Sequence, residues 1–216
     1  MTMGPSLLHG GNASRVMLLA AVAAILIALG LAVCYRSNVW NIGAEGQFVI
    51  GAIFAGGTAM QAGPETGRWF VVVVLLAGVV GGMVWAGIVA LLRDRFNASE
   101  ILVSLMMVYI ADMVLGYLVY GPWKDPAGYN FPQTITFLKS TQVPRLVEGF
   151  RVNIGLPIAL AAVAGFWVLL FRTYAGFQLQ VGGLAPAAAR YAGFSSRTVL
   201  WMALMISGGL AGLAGA

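Results

Sequence analysis

From Trp69 to Leu92 the chain contains no charged residue, and the same holds for Val16 to Val33, Ile154 to Phe171 and Val199 to Ala216. Runs of this length and character leave little choice of fold. About 20 apolar residues form a helix long enough to cross a bilayer. Within lipid, only helices and closed barrels satisfy every backbone N–H and C=O internally. Two further segments complete the pattern: Ile101 to Tyr120, interrupted only by Asp112, and a shorter one, Gln47 to Met60. Composition agrees. The chain is 60% hydrophobic and 9% charged, against about 25% charged in a soluble domain. The expected fold is all-α, a polytopic transmembrane helix bundle of about six spans that occupies residues 1–216 as one domain.

The short second segment is the irregular one. It reaches spanning length only if the preceding stretch Asn41-Ile-Gly-Ala-Glu-Gly-Gln47 also enters the membrane. Gly43 and Gly46 permit a break there, while Asn41, Glu45 and Gln47 bring donors and acceptors. Transporters use such broken helices to place polar groups near the midplane, where solute passes. Two roles are open to the Glu45 carboxylate: lining a pathway, or capping the helix that follows, where the dipole favours negative charge. Asp112 is the other acid within a span, and its charge calls for the bundle interior rather than lipid. Glu100, after Asn97 and Ser99, reads as a first-turn acid.

Other features exclude whole classes of chemistry. One cysteine, Cys34, permits no internal disulfide, and the lone His9 leaves no Cys/His metal set and no Ser-His-Asp constellation within the spans. No cofactor is expected. The net charge of +5 comes from 12 Lys and Arg scattered over short loops, as headgroup anchors rather than a nucleic-acid stripe. The lysines are Lys124 and Lys139, and neither stands in a GxxxxGK[ST] loop, so the chain cannot cradle nucleotide phosphates in that way. If the spans alternate, six Lys/Arg fall on each side, and charge counting alone does not orient the chain. Gly78/Gly82 and Gly208/Gly212 are GxxxG pairs, a signal of close helix contact.

Two loops are long enough to hold function. Residues 121–152 begin GPWKDPAGYNFPQT, where Pro122, Pro126, Pro132 and Gly128 favour a turn-rich cap. Residues 172–198 contain GLAPAAARYAGF. Pro186 opens a short helix there, and Gly193 stops it. So short a helix outside the bilayer is not stable alone and calls for docking.

Taken in order, NIGAEGQFVIGAIFAG, SEILVSLMMVYIA, GPWKDPAGYNFPQT and VGGLAPAAARYAGF followed by SGGLAGLAGA resemble the permease subunits of bacterial ABC importers. The family is the one shared by branched-chain amino acid, simple sugar and nucleoside uptake systems, and GAEGQ, GPWKDP and FPQT lie nearest the nucleoside branch. The resemblance runs from about Tyr35 to Ala216. It implies a multi-pass protein of the bacterial inner membrane that moves a small polar solute, foremost a nucleoside, inward by alternating access. Simple sugars or branched-chain amino acids are the alternative solutes. A gradient-driven carrier or channel is the rival mechanism. It further implies separate cytoplasmic ATPase subunits, a second permease subunit, an extracytoplasmic solute-binding protein, and no enzymatic step in this chain. On this resemblance Asn41, Gly43, Glu45, Gly46, Gln47 and Asp112 belong to the pathway or its helix break. Gly183, Pro186, Ala187, Ala188, Arg190, Tyr191 and Gly193 form the cytoplasmic coupling loop that docks on the ATPase, which places loop 121–152 outside. Gln180, Ala185, Ala187 and Val108 depart from the basic residue, Asn, acidic residue and Asn usual in the family. Family members continue past SGGLAGLAGA with further spans, which implies a truncated permease.

Overall fold

The structure, a computed structural model, describes residues 10–63, 65–126, 133–135, 137, 138, 141 and 155–216. Its regular elements are helices: α1 Gly10–Arg36, α2 Ala44–Ala59, α3 Phe70–Phe96, α4 Glu100–Tyr120, α5 Gly155–Arg172, α6 Tyr174–Leu184, α7 Pro186–Tyr191 and α8 Ser196–Gly215. Among the described residues, β pairing is limited to one antiparallel bridge, Lys124 with Thr134. Five helices, α1, α3, α4, α5 and α8, are long and apolar enough to cross a membrane. The sixth apolar segment is α2, which at 16 residues extends about 24 Å against a hydrocarbon core of about 30 Å. The polytopic helical bundle expected from the apolar runs is thus the one observed.

Helix α8 is the hub, packed by α1, α2 and α3. Half of its membrane window is buried, against 6% of that of α5. The two GxxxG pairs explain why. They lie on different helices and meet each other. A Cβ on Gly82 would come within 2.8 Å of Gly212 Cα, and one on Gly208 within 2.5 Å of both the Gly82 carbonyl and Ala86 Cβ. Lipid gives helices no hydrophobic reason to associate, so contact of bare backbones supplies the attraction through packing. Helix α2 joins this seam through Gly51 and Gly215. Helix α4 rests on α2 and α3, and α5 rests on α1.

At one end of the bundle lie the end of α1, the start of α4, the α6–α7 arm and the start of α8. At the other, Trp123 folds over the end of α2, against Gly57, and Asp125 N donates to the Gln133 carbonyl at 2.9 Å. Most of the remaining loop 121–152, Gly128 and Pro132 included, lies outside the described residues.

Candidate translocation face and coupling loop

The chain leaves α1 through a reversal at Asn38, which takes a left-handed φ of 56°. It then runs without regular structure into α2. Burial alternates along this stretch as in a strand: Ser37, Val39, Asn41 and Gly43 are buried, while Asn38, Trp40 and Ile42 are exposed. The buried edge carries a polar clasp. Asn41 Nδ2 donates to Gln47 Oε1 at 3.0 Å and to Ser207 Oγ of α8 at 2.9 Å. Asn41 Oδ1 accepts from Gln47 Nε2 at 3.2 Å and from the Gly43 amide at 3.1 Å. With Asn41, Gln47 and Ser207 at 3%, 0% and 1% exposure, no water is needed to satisfy them. The clasp therefore fixes where the helix break sits relative to the hub. Gly43 and Gly46 let α2 close on α4: a Cβ there would lie 2.9 Å from Ser104 Cβ and 3.0 Å from Val108 Cα respectively.

This geometry divides the residues expected to line a pathway. Asn41, Gly43, Gly46 and Gln47 point into the bundle and hold it together. Glu45 and Asp112 are both exposed. Glu45 sits in the first turn of α2, where the dipole favours it, but the α2 N-cap is Gly43 and no side chain caps it. The cap hydrogen bond considered for Glu45 is not made. Asp112 does not turn into the interior of this chain as expected. Helix α4 spends its buried face, Ser104, Met107, Val108 and Ala111, on its neighbours. Tyr109, Asp112, Met113 and Tyr117 fall on its open side. Val108 thus belongs to packing rather than to a polar stripe.

The arm from Arg172 to Ser195 is built from local hydrogen bonds. Thr173 caps α6 by accepting from Gly176 N at 3.2 Å. Pro186 occupies the first turn of α7. The helix ends in a Schellman arrangement: Gly193, at φ 81°, donates to the Arg190 carbonyl at 3.1 Å, and Phe194 N donates to that of Ala189 at 2.8 Å. Phe194 then meets Tyr174 and Phe177 of α6 edge to face, at 5.9 and 6.2 Å. What remains outside is a low knob. Pro186, Ala187, Ala188 and Arg190 are exposed and Tyr191 is 99% exposed, while Ala189 alone of α7 is buried. Gly183 faces the other way, and a Cβ there would lie 2.6 Å from the Arg36 carbonyl.

Beside the knob opens a cavity of about 500 Å³, lined by Asn38, Pro186 and two ion pairs. Arg93 Nε meets Glu100 Oε2 at 3.1 Å, and Arg197 Nε meets Asp94 Oδ1 at 2.6 Å. Trp201 Nε1 adds a hydrogen bond to Asp94 Oδ2 at 3.3 Å. Among the described residues no group of three His, Cys, Asp or Glu side chains can hold a metal.

Residues 13–216 match the family described as the branched-chain amino acid transport system / permease component. The chain belongs to that family. Relatives include a glucose ABC transporter permease protein of Haloferax volcanii, 34% identical over 92% of this chain and 54% of its own length. Two guanosine ABC transporter permease proteins of Bacillus subtilis are 31% and 29% identical, over 89% and 90% of this chain and 55% and 63% of theirs. The chain spans a little over half the length of these curated relatives. No solved structure matches it.

As a member of this permease family the chain is a multi-pass membrane protein, and several of its structural residues were not singled out in the sequence. Ser207 looks like a helix-face hydroxyl until Asn41 arrives beside it from far away in the sequence. Arg36 reads as a loop charge, but its guanidinium stacks on Phe171 at 4.5 Å and donates to Gln180 Oε1 at 2.6 Å. The departure from a basic residue at position 180 thus has a local reason, since the amide faces a cation of its own chain. Thr173 was the available sign of α6: a Thr followed by a run without proline.

Proposed function

We propose that this chain is the membrane-spanning permease subunit of an ATP-binding cassette importer that brings a nucleoside into the cytoplasm by alternating access. The observation that carries this reading is the α7 knob. Six residues of helix cannot persist alone, yet a proline start, a Schellman stop and an aromatic latch hold them rigid and outside the bundle. A rigid protrusion with an exposed Tyr and Arg and little side-chain bulk suits insertion into a groove on another protein. That protein is the ATPase, the partner implied by relatives named as ABC transporter permeases. The α7 end is then cytoplasmic, and loop 121–152 faces the extracytoplasmic solute-binding protein. The membrane is the plasma (inner) membrane.

A second permease subunit faces the open side of α4. Asp112 and Glu45 are too costly to leave in lipid, so they face a pathway between the two subunits. The presence of two distinct guanosine permease relatives in one organism supports a heteromeric pair. A sugar is the second solute reading, favoured by the glucose permease relative.

The test is uptake into proteoliposomes of the complete permease pair, with and without the ATPase and ATP. Guanosine accumulation that needs both, and stops with Tyr191→Ala, is the expected result. Gradient-driven uptake without the ATPase overturns the reading, and glucose uptake in place of guanosine moves it to the sugar branch.

A further inference from the structure

We infer that the exposed edge of the segment between α1 and α2, Trp40 and Ile42, is a solute-contact strip, with the Trp40 indole as the platform on which a nucleobase stacks. The inference rests on the permease reading and deepens it. It moves solute contact from Asn41 and Gln47, which are used up in the clasp, to the two residues that flank Asn41.

Three observations converge. The segment alternates in burial and has no regular structure, and its backbone bonds are sparse. Ser37, Asn38 and Val39 donate back to the end of α1 and Gly43 to Asn41 Oδ1, but no such bond is formed by the amides of Trp40, Asn41 and Ile42 with another described residue. Irregular backbone with free polar groups occurs at membrane depth only where protein or water covers it. The buried edge is covered by α8 through Ser207; the other edge holds Trp40 and Ile42, each 48% exposed. The charge of Glu45, exposed just beyond, calls for water on that side.

The third observation is the aromatic geometry. Tyr35 meets Trp40 edge to face, with centroids 5.5 Å apart and planes at 77°. The contact holds the indole against one ring and leaves Trp40 about half exposed, with surface free for stacking. Stacking tolerates any base, whereas a carboxylate and free backbone amides supply hydrogen-bond partners at its edge. A sugar has no flat face to use in this way. The clasp makes Asn41, Gln47 and Ser207 positioning residues, since they fix the register that turns Trp40 outward.

The test uses the complete transporter with single-cysteine variants, the native Cys34 being buried behind α8. Trp40→Cys and Ile42→Cys should react with a membrane-impermeant thiosulfonate roughly tenfold faster than Val39→Cys, because a thiol must be wet to ionise. Saturating guanosine should slow Trp40→Cys. In uptake, Trp40→Ala should raise the KM for guanosine about tenfold, and Trp40→Phe should largely restore it, as loss and return of a stacking face require. Equal reactivity at all three positions would overturn the inference. So would reaction of Trp40→Cys with a lipid-soluble maleimide alone, which places this edge against headgroups. Protection by glucose but not by guanosine removes the stacking platform. Loss of ATP dependence, with alternation and guanosine protection intact, strikes the importer reading and leaves this one standing.

Discussion

The seam between α3 and α8 and the arm from α6 to α7 are made of the same small residues used in opposite ways. In the seam, Gly78, Gly82, Gly208 and Gly212 remove side chains so that two helix backbones touch. In the arm, Gly193 supplies a left-handed turn, while Ala187 and Ala188 are exposed and touch little. The first arrangement makes an interior that tolerates no added atom. The second makes an exterior whose shape is set by hydrogen bonds and whose surface is free for something else. On the proposed function, stability and partner contact are carried by separate sets of residues, and substitutions should separate them.

The sharpest attempt to break that division is Gly208→Val. Its methyls have no room against Gly82 and Ala86, so the seam must open at a cost of about 3 kcal/mol. Folded protein should be nearly lost in size-exclusion profiles after detergent extraction. Next comes the clasp. Asn41→Ala leaves Gln47, Ser207 and the Gly43 amide without their partner, and should lower thermal stability by about 1–3 kcal/mol, read as a drop in melting temperature. Asp94→Asn weakens the pair with Arg197, whose side chain is 63% exposed, and should cost less than about 1 kcal/mol. At the far end, Tyr191→Ala should leave the melting temperature unchanged while abolishing ATPase-dependent uptake. If Tyr191→Ala destabilised the chain as much as Asn41→Ala does, the separation of the two regions would be wrong.

The helices of the seam were legible because apolar length is a local property. Each uncharged run became a helix, with α1 starting six residues before its expected Val16, and the shortness of α2 was visible in the same way. Pairing was not legible. Nothing in VVGGMVWAG states that its glycines meet those of SGGLAGLAG rather than their own copies in a second chain. Site orientation was the hardest to read. The stretch Asn41 to Gln47 was identified as special, but which of its residues face inward depends on the non-helical backbone before α2, where the side-chain period is two rather than 3.6. A continuous helix through that stretch places Asn41 with Glu45 and turns Gln47 away, whereas the change to helix at Ala44 brings Asn41 and Gln47 together and leaves Glu45 outside. In the arm, by contrast, Pro186 and Gly193 marked both ends of α7 correctly, since proline and glycine act through the backbone alone. Helix α6 went unread because its cap, Thr173, is a side-chain device with weaker sequence preference.

The close approach of Gly183 to the last turn of α1 has a mechanical consequence. Atoms in van der Waals contact resist compression steeply but offer almost nothing in tension. A thrust on α6 toward α1 passes straight into the reversal at Asn38 and so into the segment that Trp40 edges. A withdrawal of α6 is transmitted by softer means, among the described contacts the Arg36 hydrogen bond to Gln180. The linkage between arm and helix break is thus a pushrod more than a cable, stiff on one stroke and compliant on the return.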